Sequence, residues 1–217
     1  ENRPKYRWLI AGPHRGGSGY HVDPNFTHAW NACLTGRKRW LLFPPSHPPP
    51  GVYPSGDMAD VTSPVSLTEW LLNFYAETVS TLKHVGYEGI CEAGEIMFVP
   101  AGWWHWVINL EDSVALTQNY VSKTNLSRVI QFLRIMKGSI SGINEDDEKQ
   151  PSSMTDKRRD SLAEEFVAAM RDHFPDELRA AEAEILEAAE ERRRKRPREH
   201  KVEMLEPDTE GFSFSFQ

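Results

Sequence analysis

The chain has 217 residues, a formal net charge of −7 at pH 7 and 39% hydrophobic residues, among them 7 Trp, 10 Phe and 6 Tyr. That suffices for one good-sized domain with appendages, and the acidic balance excludes a globally basic nucleic-acid binder. No apolar run approaches the ~20 residues that span a bilayer, no basic-then-apolar leader opens the sequence, and Cys33 and Cys91, in no metal-like spacing, point to a reducing compartment and not to a disulfide framework.

Tyr6 to Ile10 is aromatic and aliphatic without polar breaks and predicts a buried strand, with Gly12-Pro13 and Gly16-Gly17 marking the turn after it. In Ser18-Gly19-Tyr20-His21-Val22-Asp23-Pro24, His21 and Asp23 share a target only if the segment is extended, because side chains at i and i+2 of a strand leave the same face. Taken alone, the pair is more often a buried histidine beside a strand-end aspartate. His28 to Phe43 predicts a hairpin about Thr35-Gly36, which places Asn31, Cys33, Lys38 and Trp40 on one face. A lysine on that apolar face either snorkels to solvent or needs an anionic partner.

Pro44 to Pro64 is a proline-rich loop. It ends at Ser66-Leu67-Thr68-Glu69, a capping box that opens an amphipathic helix through Trp70, Leu71, Phe74 and Val79. Strands resume at Tyr87 to Cys91, Glu95 to Val99, Trp104 to Leu110 and Val114 to Val121. His105, launched by Pro100-Ala101-Gly102, shares a face with Val107 and Asn109, as Thr117 does with Asn119. His21, Asp23 and His105 together form a two-histidine, one-carboxylate set, which holds iron and leaves coordination positions open. Thr117 and Asn119 either line a polar pocket beside it or satisfy backbone groups.

From Thr124 the period turns helical, with Leu126, Val129, Ile130, Leu133 and Met136 on one stripe and Gly138 as a stop. The expected organisation is a β-rich catalytic unit over 1–138, an acidic flexible link over 139–159 and a charged helical appendage over 160–217 that carries no chemistry. Asp160 to His173 and Asp176 to Arg196 are its helices, broken at Pro175. The basic run 192–198 reads as a nuclear-import signal or a patch for RNA or a nuclear protein, or as a solvated helix end. The expected location is therefore nuclear, otherwise cytoplasmic, with no membrane contact. Phe212-Ser213-Phe214-Ser215-Phe216 is either a small added strand or a frayed tail.

His21-Val22-Asp23 with Asn31, Lys38 and Trp40, then Gly102-Trp103-Trp104-His105, Asn109 and Thr117-Gln118-Asn119, resembles the jumonji-C dioxygenase family. The likeness falls in its phosphatidylserine-receptor-like branch of arginine demethylases and lysyl hydroxylases and runs from Arg3 to Leu133. It implies a mainly β fold, a double-stranded β-helix of the jelly-roll or cupin kind, with an insertion helix and C-terminal helices, whose first strands lie upstream of Glu1. It further implies that His21, Asp23 and His105 bind Fe(II) and that Lys38 binds the distal carboxylate of 2-oxoglutarate, with Asn31, Thr117, Ser18 and Asn119 assisting. Ser18 stands where close relatives carry threonine. The implied activity consumes O2 and 2-oxoglutarate to oxidise a protein side chain, as lysyl hydroxylation or as N-methyl-arginine demethylation. Two rivals stay open. A cupin-type metal isomerase would use a further ligand and have no need of Lys38, and a non-enzymatic interaction protein would keep an inert barrel.

Overall fold

The structure, a computed structural model, describes residues 6–55, 61–142 and 152–195. Its strand-forming stretches pair into two four-stranded antiparallel sheets. In the first, β1 (Arg7–Gly12), β10 (Ser113–Tyr120), β3 (His28–Thr35) and β8 (Ile96–Val99) lie in that order. In the second the order is β2 (Gly17–His21), β9 (Trp104–Asn109), β4 (Arg37–Phe43) and β7 (Tyr87–Glu92). The chain passes back and forth between the sheets, and their inner faces meet in one core built by Ala29, Cys33 and Val99 from the first and Trp40, Leu42, Cys91 and Val107 from the second. This is the mainly β, double-stranded β-helix architecture that the resemblance implies.

Two local expectations are corrected. The hairpin at Thr35-Gly36 does not form, because β3 pairs with β10 and β8 whereas β4 pairs with β9 and β7. Gly36 instead carries the chain across from one sheet to the other, which buries the apolar faces of both strands against each other. Asn31, Cys33, Lys38 and Trp40 are accordingly all buried, through an arch and not a ladder. The buried strand expected at Tyr6 to Ile10 is an edge strand among the described residues: β1 has β10 as its one neighbour there, and Leu9 is 69% exposed. Across this sheet the outer rows Leu9–Leu116–Ala32–Ile96 and Arg7–Gln118–Trp30–Phe98 run in register, and the described residues leave Ile96 66% and Phe98 48% exposed.

The outer face of the second sheet is covered. Helix α1 (Leu67–Val85) starts where the Ser66 hydroxyl accepts the Glu69 N–H at 3.1 Å, and the Glu69 carboxylate accepts the Val65 N–H at 3.2 Å. Trp70 and Leu82 of α1 then pack with Tyr20, Leu41, Phe43, Trp104 and Trp106. The proline-rich loop is tied beneath the helix by a 3.0 Å bond from Trp70 Nε1 to the Pro50 carbonyl, and it holds a small ribbon of β5 (Tyr53–Pro54) and β6 (Val61–Thr62).

After the sheets, α2 (Leu126–Ile135) ends ahead of Gly138, where the chain tightens into a 3-10 turn at Lys137–Ser139. Helix α3 (Ser152–His173) begins ahead of Asp160, so the end of the expected link is helical. Pro175 opens α4 (Pro175–Lys195), at a position where its missing N–H leaves no bond unmade. Leu126 and Ile130 of α2 pack with Val167, Leu178 and Ala181, and Val129 and Leu133 pack with Leu162 and Ala163. Residues 143–151 of the link, the last three residues of the basic run and the 212–216 stretch lie outside the described residues.

The inter-sheet arch has little room to spare. Gly36 has φ +76°, and a Cβ there would stand 2.4 Å from the Asp112 carbonyl oxygen, a backbone atom that cannot turn aside. Gly36→Ala is expected to lower stability by roughly 2–3 kcal/mol, read as a fall in the urea or thermal midpoint; an unchanged midpoint would mean that the arch is slack.

Candidate metal centre

Strand β2 meets β9 with Gly17 opposite Ile108 and Ser18 opposite Val107, and then the register slips by one residue so that His21 faces His105. In an unbroken ladder Tyr20 would face His105 and His21 would point outward, since side chains alternate. The slip sends Tyr20 under α1, against Phe43 and Trp70, and turns His21 inward. One ligand atom each from His21, Asp23 and His105 then lies within 4.8 Å of the others, the single such group among the described residues.

Backbone carbonyls set the histidine tautomers. Nδ1 of His21 is 2.9 Å from the Gly19 carbonyl oxygen and Nδ1 of His105 is 3.1 Å from that of Trp103. A carbonyl only accepts, so each Nδ1 carries a proton and Nε2 is the ring atom left to meet a ligand. His105 is 4% exposed. Burial, helped by the neighbouring His21, pushes it down to about 3, which leaves the ring neutral near pH 7. Burial raises Asp23, while His21 and the Asn119 amide pull it back. Its Oδ2 is buried with no hydrogen-bond partner, an acceptor that a cation would satisfy. Two imidazole Nε2 atoms and a bare carboxylate oxygen fit a divalent metal such as Fe(II).

Lys38 lies on the same inner face. It is 4% exposed, and its Nζ donates to Asn109 Oδ1 at 2.9 Å. Among the described residues no carboxylate pairs with it, and burial holds the ammonium below the usual lysine range. Asn109 is fixed in turn, its Nδ2 donating to the Pro13 carbonyl at 3.1 Å. Across the second sheet the inner rows are Cys91–Lys38–Asn109, Gly89–Trp40–Val107–Ser18 and Tyr87–Leu42–His105–His21. Lys38 to Leu42 is about 13 Å of strand, a gap that a lysine side chain and a five-carbon dicarboxylate cover together.

In the facing sheet Thr117 stands opposite Asn31 and Asn119 opposite Ala29. Asn31 Oδ1 is buried without a partner. The Thr117 hydroxyl donates to the Trp30 carbonyl at 2.9 Å, so its proton is taken by the backbone. Asn119 Nδ2 donates to the Thr27 hydroxyl at 2.8 Å, and that hydroxyl donates to the Pro24 carbonyl at 2.8 Å. The loop after Asp23 turns through positive φ at Asn25 (55°) and Phe26 (58°). It is clamped by paired bonds between the Asn25 amide and the Ser141 backbone (3.0 and 3.1 Å) and by Asn125 Nδ2 donating to the Phe26 carbonyl (3.1 Å). Sequence reasoning missed Asn109 as the partner of Lys38. Its shared face with His105 was a signal, but the β4–β9 pairing was not legible. The Gly19 and Trp103 carbonyls leave no trace in residue identity.

Fold and donor set together define a class. Residues 8–120, more than half of the chain, match the family model described as "JmjC domain, hydroxylase", and the chain belongs to the JmjC family. Among curated relatives, the arginine-specific demethylase JMJ22 of Arabidopsis thaliana is 45% identical over 215 residues, 99% of this chain and 39% of that protein. The bifunctional arginine demethylase and lysyl-hydroxylase psr-1 of Caenorhabditis elegans is 42% identical over 132 residues, 59% of this chain and 33% of psr-1. The 2-oxoglutarate and iron-dependent oxygenase JMJD4 of Homo sapiens is 36% identical over 130 residues, 59% of this chain and 30% of JMJD4. The chain thus spans well under half the length of each.

The burial of His105 has a pH signature. Its value of about 3 in the fold lies below the 6.5 of a free imidazole, so the unfolded chain takes up the proton first as pH falls. Without metal, this ring leaves stability unchanged above pH about 6.5 and lowers it by up to about 1.4 kcal/mol per pH unit from there towards pH 3. His105→Gln is expected to flatten that decline in urea unfolding. Parallel curves for the two proteins would show that the imidazole is not held neutral.

Proposed function

We propose that the chain is the catalytic core of an Fe(II)- and 2-oxoglutarate-dependent oxygenase acting on protein side chains, by lysyl hydroxylation or by removing N-methyl groups from arginine. The observation that carries this reading is the pairing of two features on one inner face: the donor set His21, Asp23 and His105, and a buried lysine that no carboxylate among the described residues pairs with. A metal set alone suits many barrels, whereas Lys38 specifies a co-substrate with a free carboxylate. The names of the relatives support the same chemistry. Against a metal isomerase stands the absence of a fourth clustered ligand among the described residues. Against an inert interaction barrel stands the cost of burying an ammonium for no purpose.

In this reading Fe(II), when bound, supplies the redox chemistry by which O2 and 2-oxoglutarate oxidise a C–H bond with release of succinate and CO2. The chain's own residues hold and shield. His21 and His105 offer Nε2 because their Nδ1 protons are engaged, and Asp23 supplies the negative ligand, steadied by Asn119. Lys38 pairs with the distal carboxylate while Asn109 fixes its ammonium, and Asn31, Ser18 and Thr117 border the same space. Trp40, stacked 6.1 Å from the His105 ring, keeps water from the gap between the two ends. Residues 1–138 form the catalytic unit in this proposal. The exposed Arg192, Arg193 and Arg194 on α4 support nuclear import, or contact with RNA or a nuclear protein, through the 192–198 run.

Succinate release by the full-length protein, with Fe(II) and a panel of lysine- and methylarginine-containing peptides, tests the reading. It is lost if 2-oxoglutarate is consumed neither alone nor with any peptide. Asp23→Ala removes the one anionic ligand and is expected to weaken metal binding more than about a hundredfold with little change in the melting midpoint. Metal retained at wild-type affinity would displace the centre from these residues. Lys38→Met is expected to raise the 2-oxoglutarate requirement at least about tenfold, the equivalent of one lost charge-assisted hydrogen bond of about 1.5–3 kcal/mol. Metal affinity measured without co-substrate should stay put, and an unaltered 2-oxoglutarate requirement would remove Lys38 from the site.

A further inference from the structure

A cavity of about 520 Å³ lies between the barrel and the C-terminal helices. One wall includes Pro24, Asn25 and Asn119, that is, the two residues that follow Asp23 and the amide that steadies its carboxylate. The opposite wall includes Leu133 of α2 and Glu165 and Phe166 of α3. Among the described residues Glu165 is the one charged side chain lining this space, and it has no ion-pair partner there. Glu165 is exposed at the rim of this space, beside Leu133 and Phe166 and across from the neutral amides of Asn25 and Asn119, a placement that suits a cation on an aliphatic stem, the stem against the apolar side chains and the charge in water-facing contact with the carboxylate. The wall beside Asp23 is held in its shape in advance, by the Asn25 clamp to Ser141 and the bond from Asn125 to Phe26, so a ligand meets it without an ordering cost.

We propose that this cleft docks the polypeptide substrate, with a lysine or arginine side chain laid along Leu133 and Phe166 and its cation paired with Glu165. The inference rests on the oxygenase reading of the metal centre and deepens it. It gives α3 a part in choosing the substrate, whereas sequence pattern assigned the C-terminal helices no chemistry. The net charge of −7 also favours approach of a basic polypeptide, an effect that added salt screens.

The test is fluorescence anisotropy of the 217-residue chain with three labelled peptides that differ at one position, carrying lysine, arginine or norleucine. The cationic peptides are expected to bind more tightly than the norleucine peptide, and the two of them separate a preference for ammonium from one for guanidinium. Glu165→Lys, which turns an exposed attraction into a repulsion, should weaken their binding about three- to tenfold, whereas Glu164→Lys, the same charge change one residue away and outside the cavity, should alter it less than about twofold. Glu165→Gln, which keeps the side-chain shape, should give an intermediate loss and so exclude misfolding as the cause. Equal losses from Glu164→Lys and Glu165→Lys would reduce the effect to overall charge and overturn the proposal. So would a norleucine peptide bound as tightly, or no binding of either cationic peptide at millimolar chain. Binding is read without turnover, so a chain that binds through Glu165 yet forms no succinate leaves the cleft standing and sinks the oxygenase reading. Succinate formed by a protein whose peptide binding ignores Glu165→Lys does the reverse.

Discussion

The one-residue slip between β2 and β9 is the constraint on which the rest of the centre depends. Strand side chains alternate, so a single extra residue decides whether His21 faces the inner core or the underside of α1. What holds the slip in place is on the far side of the sheet. Tyr20 is wedged edge-on at 5.2 Å from Trp70 and 6.0 Å from Phe43, and burying such an aromatic ring is worth about 1.5–3 kcal/mol. An aromatic anchor outside the barrel thus fixes the aim of an imidazole inside it. The carbonyl of Gly19, within the slipped stretch, takes the Nδ1 proton of that same ring.

One physical effect, the dryness of the space between the sheets, produces two opposite results a few residues apart. For His105 desolvation disfavours the charged form and leaves a neutral imidazole. For Lys38 it leaves an ammonium with one amide oxygen as its partner, a state that favours any anion able to reach it. Trp40 and Val107 lie in the row between the two groups and maintain that dryness for both. The burial of the Lys38 ammonium lowers the stability of the fold without an anion there, a cost that an anion bound beside it would offset.

Much of this was legible in the sequence, and the reasons differ by residue. The apolar and aromatic runs gave the strands β7 to β10 to within a residue or two, and Ser66 with Glu69 gave the start of α1. The spacing of His21 and Asp23 pointed to a shared face, although the slip that orients that face has no local signal beyond Gly19. Lys38 was placed beside Asn31 and Trp40 for the wrong reason. A period-two pattern states which residues are inward but not which strand lies opposite, and an arch and a hairpin about Thr35-Gly36 look alike in it. The same blindness explains β1, whose apolar residues read as doubly buried when one face is open. Helix α3 was placed too late because the polar stretch before Asp160 reads as link when no packing partner is in view. The cleft at Glu165 joins segments far apart in the chain, so no window of sequence contains it.

The passage of the chain back and forth between the sheets also sets when a metal site can exist at all. Arg7 pairs with Gln118 and His21 with His105, so neither sheet closes until its most distant strand has been made. Folds dominated by such remote pairings form slowly, because a long loop must be closed before any contact rewards it. During synthesis a chain shorter than β9 holds one histidine and one aspartate of the trio, and two ligands on an unclosed edge make no cage. A metal held by His21, Asp23 and His105 would therefore be taken up at the end of folding, as cargo for a finished barrel and not as the nucleus around which the barrel assembles.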